Sequence, residues 1–404
     1  MNATFDPLDT TATDNVDGLA RLRTDDPVHR CLGGAWFLSR YDDVLAATKD
    51  VETFRASFRE PGVVVPDEEQ FINEIAEPRH GHVRRIINSA IAQHRIGRVE
   101  PVVRDLCDQL LDELLSTGNG AHGQTDLVAG YSTPIPTTVI AHLLGAPVED
   151  HHKWAAWSDE VVQGTYPTKY RTERGVGLEG AHPEFTAYVD AQIHLRREAT
   201  EPPDDFITRL LNTEVDGRRL TDVEARTQLV FLFISGNETT RHLISNLCFT
   251  LARRPDLFAM CRADPSLVDN LVEETLRLMS PIQFLMRTCT RETSLHGVEL
   301  DADAKVAFGI ASANRDAQHF DEPDEFRLDR PDPKHHLAFG GGPHICPGAA
   351  LARLEARIAI ERLLARIGGM TLDAGYEFEK VSVFWAYGPA SLPVTLEAAS
   401  LDRG

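Results

Sequence analysis

One cysteine lies between a glycine-rich stretch and a predicted helix. The stretch FGGGPHICPG, residues 339–348, contains Cys346 followed by Pro347 and Gly348, and AALARLEAR continues with helical spacing. Because proline is well tolerated in the first helical turn, we expect Cys346 at a helix N-terminus, where the macrodipole and free N–H groups stabilise a thiolate. The glycines allow close approach of the backbone to another group. The stretch predicts a thiolate beneath a flat group, and the alternative is an inert buried cysteine in a glycine-rich turn.

A second unusual stretch interrupts the predicted long helix FLFISGNETTRHLISNL. It contains Ser235, Gly236, Asn237, Glu238 and Thr239. Glycine and β-branched threonine are poor helix formers, so their presence in mid-helix needs a reason. The alternative is a weak, bent point in the helix.

The cysteine stretch resembles the haem-binding loop of the cytochrome P450 superfamily. The matching residues of the pattern F-G-x-G-x-H-x-C-x-G are Phe339, Gly340, Gly342, His344, Cys346 and Gly348. The resemblance implies haem b (iron protoporphyrin IX), with the Cys346 thiolate as axial ligand of the iron and the loop around it binding the cofactor. It implies a soluble bacterial haem-thiolate monooxygenase.

The resemblance also gives a role to the mid-helix stretch. In the family, small residues at the positions of Ser235 and Gly236 open the helix for dioxygen, and the acid–alcohol pair Glu238 and Thr239 relays protons, which is general acid chemistry. The family usually has alanine or glycine where Ser235 stands. Its hydroxyl could bond back to the helix or reach a distal water or substrate, and the sequence leaves both open.

Further positions match the family in order and spacing. Glu274 and Arg277 form an E-x-x-R pair that the resemblance implies is structural, near the stretch ANRD at 313–316. Cations for the haem carboxylates are expected from four residues, because arginine in particular suits carboxylates. These residues are His80, Arg84, Arg287 and His344.

Three segments are expected to line a substrate pocket. By helical phase, the residues on the distal side of the haem are Phe231, Ile234 and Ser235. By resemblance, further lining comes from Gln283 and Phe284, and from Phe384 and Trp385. The apolar lining predicts a mid-sized, mostly apolar small-molecule substrate fixed by hydrogen bonds from Ser235, Asn237 or Gln283. The alternative for each aromatic residue is an ordinary place in the core.

Electrons are expected from an external protein, an iron–sulfur ferredoxin or a flavodoxin. The 404 residues leave no room for a flavin or nicotinamide domain, and no GxGxxG opens a helix after a strand. A docking patch for an acidic partner is predicted on the cysteine side. Its candidate residues are Arg84, Arg85, Arg95, Arg98, Arg353 and Arg357. The alternative for any one of them is a solvated helix face.

Composition bounds the remaining possibilities. The net charge of −21 argues against nucleic-acid binding, and the six scattered cysteines against a disulfide framework or a structural zinc site. The polar, acidic N-terminus lacks a signal-peptide pattern, and the longest apolar run is too short to span a membrane, so we expect a cytoplasmic protein without membrane contact.

The periodicity predicts a mainly α protein with small β-sheets, a single domain over residues 1–404. The resemblance implies a helix-rich lobe and a smaller β-rich lobe enclosing the haem. Two long loops, residues 56–79 and 163–183, could be lids or plain surface loops.

Three functions are compatible with this sequence. The first is hydroxylation in bacterial secondary or xenobiotic metabolism. The second keeps the fold but performs epoxidation, dealkylation or oxidative coupling. The third is a non-catalytic haem or ligand-binding protein such as a gas sensor, which would not need the pair Glu238–Thr239.

Overall fold

The computed structural model describes residues 5–9, 16–56, 65–91, 97, 99–117, 122–165 and 182–399. Its helices are α1 (Val16–Asp25), α2 (Tyr41–Lys49), α3 (Arg79–Ala90), α4 (Glu100–Thr117), α5 (Pro134–Leu144), α6 (His151–Thr165), α7 (Pro183–Glu198), α8 (Phe206–Asn212), α9 (Asp222–Arg253), α10 (Pro255–Ala263), α11 (Val268–Leu278), α12 (Ile310–Ala313) and α13 (Ala349–Arg366). The mainly helical character predicted from the sequence is confirmed.

The strands are short and form small sheets. They are β1 (Val28–Arg30), β2 (Trp36–Leu38), β3 (Phe54–Ala56), β4 (His122–Asp126), β5 (Leu285–Cys289), β6 (Thr293–Leu295), β7 (Val298–Leu300), β8 (Lys305–Phe308), β9 (Ile367–Leu372) and β10 (Pro393–Ala398). One sheet has the order β1-β2-β8-β5-β3, a second has the order β4-β10-β9, and β6 pairs with β7. The β2–β8 pair is parallel and joins distant parts of the chain.

Local sequence explains several helix boundaries. Pro183 and Pro255 occupy the first turns of α7 and α10, where a missing N–H costs nothing. The Asp205 carboxylate accepts a 2.8 Å hydrogen bond from the Thr208 N–H and caps α8. Two expected loops are described only in part, because residues 57–64 and 166–181 lie outside the described residues.

The chain divides into two compact units. Unit 1 comprises Met1–Ala56, Val103–Ile135 and Thr239–Gly404, and unit 2 comprises Ser57–Val102 and Pro136–Glu238. All the strands named above belong to unit 1, which also contains α10, α11 and α13. The chain passes from unit 2 to unit 1 within α9. The expectation of a single domain stays a prediction.

Each unit has its own apolar core. In unit 2, a cluster of buried side chains that includes Trp154, Phe185 and Phe233 holds α6, α7 and α9 together. In unit 1, a cluster that includes Leu38 and Phe308 packs the mixed sheet against α2 and α12. None of the helices in the described part of the chain combines the length and apolar character needed to cross a bilayer.

Candidate active site

The predicted cysteine loop lies immediately before α13. Helix α13 begins at Ala349, two residues later than the proline predicted, with Pro347 and Gly348 in a turn before it. The Cys346 N–H donates a 2.9 Å hydrogen bond to the Phe339 carbonyl, and the first helical bond runs from the Ala352 N–H to the Gly348 carbonyl at 2.9 Å. This hydrogen bond closes the loop formed by residues 339–346, and Cys346 is the last residue of that loop.

The three consecutive glycines allow the loop to fit against α2. Gly340 and Gly342 have φ angles of +71° and +62°, in the left-handed region that favours glycine. A Cβ atom on Gly341 would lie only 2.6 Å from the Thr48 hydroxyl oxygen, and one on Gly342 would collide with the Thr48 carbonyl. The close backbone approach expected from the sequence is therefore, at these two glycines, an approach to α2.

The E-x-x-R pair is a buried ion pair. Arg277 is fully buried, and its Nε and Nη2 atoms donate to the Glu274 carboxylate at 2.8 and 2.7 Å. Arg330 donates a third hydrogen bond to the same carboxylate, at 3.1 Å from Nε. Arg277 also binds the carbonyl of Asn314, at 2.9 Å, in the ANRD segment. Burial opposes ionisation of Glu274, but the hydrogen bonds and charges of the two arginines outweigh it, so its pKa lies below the ordinary value.

Along α9, side-chain exposure follows the expected helical phase. Phe231, Ile234, Ser235 and Thr239 are partly exposed, whereas Glu238 is buried. The spacing of the partly exposed residues is i, i+3, i+4 and i+8, which places them on one face. The Phe231 ring also stacks on Phe71 in unit 2, at 5.0 Å between centroids.

Gly236 has a packing reason within unit 2. A Cβ atom at this position would lie 3.2 Å from the Ile140 Cδ1 atom on α5. The helices α5 and α9 thus approach closely where the sequence has no side chain. This packing contact alone accounts for a glycine in mid-helix. It is compatible with the second reason, the access for dioxygen that the family resemblance implies.

Asn237 does not match its predicted role as a hydrogen-bonding group for substrate. Its Oδ1 atom accepts from the Thr137 hydroxyl at 2.6 Å, and its Nδ2 atom donates to the Ser158 hydroxyl at 3.3 Å. The side chain is buried among α5, α6 and α9. The sequence could not indicate this, because helical phase alone does not show which neighbouring hydroxyls lie within reach.

Three of the four aromatic residues predicted for the pocket lie in or against a small core cluster of unit 1, whereas Phe231 packs against the core of unit 2. Phe284 is buried, with Phe384 at 5.7 Å between ring centroids, and Phe384 and Trp385 pack half-buried against the cluster. The Gln283 N–H donates to the Trp385 carbonyl at 2.8 Å, and its side-chain amide donates to Ser280. The structure thus brings the two segments together, with Phe284 as a core residue.

The four residues expected to bind the haem carboxylates differ in how deeply they are buried. His80, on α3 of unit 2, is buried, with Nδ1 at 2.8 Å from the Glu77 carboxylate. Arg84 on the same helix is half-buried, as is His344 in the cysteine loop of unit 1. Arg287 on β5 is buried.

Two residues beside the cysteine loop, Glu273 and His336, were not predicted from the sequence. His336 Nε2 lies 2.9 Å from a carboxylate oxygen of Glu273, and both side chains are buried. Burial disfavours the Glu273 charge, but hydrogen bonds from His336 and Arg353 lower its pKa to about 2. The sequence features that could have indicated them are an acidic residue directly before the E-x-x-R pair and a histidine three residues before Phe339.

Comparison with known proteins identifies the family. A profile of the family described as Cytochrome P450 matches residues 34–367. The chain is 35% identical to erythromycin C-12 hydroxylase of Saccharopolyspora erythraea over 94% of both chains. It is 33% identical to steroid C26-monooxygenase of Mycolicibacterium smegmatis, over 94% of this chain and 93% of that protein.

The structure of cytochrome P450 CYP109Q5 from Chondromyces apiculatus superposes with a TM-score of 0.87 at 33% identity, covering 99% of this chain and 100% of that one. The chain belongs to the cytochrome P450 family. It is an oxidoreductase of the monooxygenase class, and membership implies a haem cofactor, a small-molecule substrate and a redox partner.

Among the six cysteines of this cytochrome P450, Cys346 alone is partly exposed, and the other five are buried. Burial raises the pKa of Cys31, Cys107 and Cys248 to about 12, and that of Cys261 and Cys289 to about 11. These five thiols stay protonated at neutral pH and are poor iron ligands. The distribution of exposure fits a haem iron bound by Cys346.

Arg287 provides a second test of the fit to haem. Burial lowers its pKa to about 10, and its guanidinium lies over the Phe308 ring at 5.3 Å from the centroid. Within the described ranges, no carboxylate lies at ion-pairing distance from it; its Nη1 donates to the Met286 carbonyl. A buried guanidinium without an anionic partner is costly, and a haem carboxylate would provide that partner.

Several arginines predicted for the docking patch form ion pairs with carboxylates of this chain. Arg353 and Arg357 on α13 bind Glu273 and Glu361, and Arg85 pairs with Asp216. Two further members of the predicted patch, Arg95 and Arg98, lie outside the described residues.

Proposed function

We propose that this cytochrome P450 binds haem b through the Cys346 thiolate and hydroxylates a mid-sized, mostly apolar small molecule. The observation that carries the proposal is the placement of Cys346. It is a partly exposed cysteine at the end of a glycine loop, in a chain whose other five cysteines are buried with raised pKa values. A thiolate is the form that binds iron, and Cys346 is the residue best placed to supply it.

When bound, haem b supplies the reductive activation of dioxygen, which no protein side chain can perform. The residues of unit 1 proposed to hold it are Cys346 for the iron and Arg287 and His344 for the carboxylates. Phe339, Gly340 and Gly348 shape the loop around the sulfur. His80 and Arg84 belong to unit 2, and their part in binding the carboxylates stays a prediction.

Proton delivery is proposed for two neighbouring residues of α9. The Glu238 carboxyl is buried and the Thr239 hydroxyl is partly exposed, so an acid inside the protein adjoins an alcohol on the partly exposed face. The acid would supply protons and the alcohol would pass them towards dioxygen. The opening of the helix for dioxygen that was predicted at Ser235 and Gly236 stays a prediction. A proton supply of this kind supports catalysis over the alternative of a non-catalytic haem protein.

The substrate class is proposed from the apolar face of α9 and from the relatives. Phe231 and Ile234 present partly exposed apolar groups, and Ser235 adds one hydroxyl on the same face. The two curated relatives are named for hydroxylation of erythromycin at C-12 and for oxidation of a steroid at C26. A compound of comparable size, with extensive apolar surface and few hydrogen-bonding groups, fits these features.

An iron–sulfur ferredoxin or a flavodoxin is proposed as the electron donor. It would dock by charge complementarity on the cysteine side, as the sequence predicts. The cytoplasmic location expected from the sequence also stays a prediction.

The carbon-monoxide difference spectrum of the dithionite-reduced protein tests the iron ligand. We expect a strongly red-shifted band in the wild type that is lost in Cys346→Ser. Cys261→Ala is the matched control, because that thiol is buried, and it should retain the band. A band typical of histidine-ligated haem, unchanged in Cys346→Ser, would contradict the proposal.

Spin-state shifts of the ferric protein test the substrate class. We expect macrolides and steroids to perturb the haem spectrum, and Ser235→Ala to weaken the binding of compounds that carry a hydroxyl more than the binding of others. A spectrum perturbed only by highly charged or very small compounds would contradict the proposed class.

A further inference from the structure

Arg353, one of the residues predicted for a docking patch, binds a buried carboxylate. It lies on α13, seven residues after Cys346. Its Nε donates to Oε1 of Glu273 at 2.6 Å, and its Nη2 donates to Oε2 at 2.9 Å. Glu273, on α11, is only 3% exposed. Two parallel hydrogen bonds to one buried carboxylate fix the plane of the guanidinium, which a single contact could not do.

His336 completes the surroundings of the same carboxylate. The Ala338 N–H donates to His336 Nδ1 at 3.2 Å, so Nδ1 is the unprotonated nitrogen of the ring. The proton is then on Nε2, which donates to Glu273 Oε2 at 2.9 Å. Glu273 therefore receives hydrogen bonds from α13 and from the first residue of the segment 336–346.

The fixed guanidinium lies against the cysteine loop. The Arg353 Cζ atom is 4.5 Å from the centroid of the Phe339 ring, within the range of a cation–π contact. The Phe339 carbonyl accepts the Cys346 N–H at 2.9 Å. A continuous series of contacts thus leads from the buried Glu273, through Arg353 and Phe339, to the backbone of Cys346.

We propose that Glu273, His336 and Arg353 are positioning residues for Cys346, which they hold in place through Phe339. This inference rests on the proposed function in one respect, that Cys346 binds the iron. It gives Arg353 a role inside the protein in place of the docking role that the sequence predicted. Phe339 cannot move away from Cys346 without leaving the guanidinium, and the guanidinium cannot rotate without breaking its hydrogen bonds to Glu273.

The two roles of Arg353 predict opposite results for Arg353→Lys. Lysine keeps the positive charge that docking needs, but it can neither donate two parallel hydrogen bonds nor lie flat on an aromatic ring. Arg357→Lys is the matched control. Arg357 is on the same helix one turn later, its side chain has the same 27% exposure as that of Arg353, and it binds Glu361 instead of Glu273.

Amide hydrogen exchange of the holoprotein measures the position of the loop directly. The amides to follow are those of Cys346 and Gly340, which donate to the carbonyls of Phe339 and Leu337. We expect about tenfold faster exchange of the Cys346 amide in Arg353→Lys and in Glu273→Gln, because local opening no longer breaks the ring contact. Exchange in Arg357→Lys should match the wild type.

A second readout reports the thiolate itself. In Arg353→Lys, a larger share of the carbon-monoxide complex should lose the red-shifted band on standing, since Cys346 is less firmly held. Wild-type exchange and a wild-type spectrum in Arg353→Lys would overturn the proposal. Docking would then be supported if Arg353→Met slowed reduction by a ferredoxin in a salt-dependent way.

These outcomes are distinct from a failure of the proposed function. If Cys346→Ser retains the red-shifted band, Cys346 is not the ligand, whatever Arg353 does. If Cys346→Ser loses the band and Arg353→Lys behaves like the wild type, only the positioning role fails. If Glu273→Gln does not fold, Arg353→Lys decides alone, because the lysine side chain retains the charge and most of the length of arginine.

Discussion

The Thr137 hydroxyl donates a 2.6 Å hydrogen bond to the Asn237 side chain, and this bond lies entirely within unit 2. Thr137 is on α5, and Asn237 follows Gly236, where a Cβ atom would lie 3.2 Å from the Ile140 Cδ1 atom on α5. The amide also donates to Ser158 on α6. Asn237 thus connects three helices, and this use of its amide replaces the predicted contact with substrate.

Replacing Asn237 should therefore affect stability and not ligand binding. We expect Asn237→Ala to lower the free energy of unfolding by about 1–3 kcal/mol, because the hydrogen bonds of the buried amide to the Thr137 and Ser158 hydroxyls are lost. Affinities from spin-state titration should stay within about twofold of the wild type. Urea unfolding and ligand titration of the same samples provide the measurement.

Ser235→Ala is the control for Asn237→Ala, since it should change ligand affinity with little loss of stability. A large loss of affinity in Asn237→Ala at unchanged stability would restore the substrate role.

The contact between Gly236 and Ile140 predicts a coupled pair of substitutions. A Cβ atom at position 236 would lie 3.2 Å from Ile140 Cδ1, so Gly236→Ala should crowd α5. Overpacking costs about 1–3 kcal/mol, partly offset by the better helix propensity of alanine.

A second substitution, Ile140→Val, removes the methyl group that the new Cβ atom would crowd. We expect the double variant to be about 1 kcal/mol more stable than the sum of the single changes, measured by a double-mutant cycle. Strict additivity would show that packing does not determine the glycine.

The site residues differ in how far the sequence could predict them. Cys346 and the pair Glu274–Arg277 were accessible because their spacing along the chain is fixed by one loop and by one helical turn. Glu273 and His336 were not, since they come from segments 63 residues apart that only the fold brings together. Asn237 was misassigned for the same reason, because Thr137 lies 100 residues away.

The fold shows the same distinction between local and distant signals. Helices whose spacing is visible along the chain, α13 and the long helix α9, were predicted from the sequence. Strand β5, with the sequence LMRTC, was missed because its central arginine breaks the expected pattern. That arginine is Arg287, which is buried, and the proposed contact with a haem carboxylate would account for its burial.

The buried pair Glu274–Arg277 should be intolerant of lysine. Arg277→Lys retains the charge but loses the forked contact to Glu274 and the hydrogen bond to the Asn314 carbonyl. We expect a loss of about 3–5 kcal/mol in the free energy of unfolding, typical of a disrupted buried ion pair. Arg254→Lys is the control, because Arg254 makes the same forked contact with Asp256 at an exposed site and should cost less than about 1 kcal/mol. Equal losses in urea unfolding would contradict the importance of burial.

The group around Glu273 predicts a loss of stability in acid. The pKa of Glu273 is lowered from 4.5 to about 2, so its contribution is present above pH 4.5 and is lost as the pH falls towards 2. Burial lowers the pKa of His336 below 6.5, despite the opposing effect of Glu273. Below pH 6.5 the unfolded chain therefore binds a proton that the folded protein does not, and stability falls as the pH decreases.

His336→Gln removes the second of these contributions. We expect the free energy of unfolding to fall less steeply between pH 7 and pH 5.5 than in the wild type, as measured by urea unfolding at several pH values. His335→Gln is the matched control, because it makes the same substitution at the neighbouring, exposed histidine. A slope that is the same in all three proteins would show that the pKa of His336 does not change on folding, and a steeper fall in His336→Gln than in the wild type would show that His336 is protonated in the folded state.

Pro347 should lower the reduction potential of the haem iron. It directly follows Cys346 in the turn before α13 and has no N–H to donate to the sulfur. The backbone at the next residue is close to the sulfur, since a Cβ atom on Gly348 would lie 3.9 Å from the Cys346 Sγ atom. A thiolate with fewer donors retains more negative charge and stabilises the ferric state.

Pro347→Leu and Pro347→Ala both restore the missing donor, and alanine does so with little added bulk. A hydrogen bond contributes about 0.5–1.5 kcal/mol, and a tenfold change in a one-electron equilibrium is 59 mV, so we expect an upward shift of roughly 20–60 mV in both variants. Redox titration of the holoprotein measures it. A shift in Pro347→Leu alone would assign the effect to side-chain bulk, and an unchanged or lower potential in both would mean that the proline is only compatible with the turn.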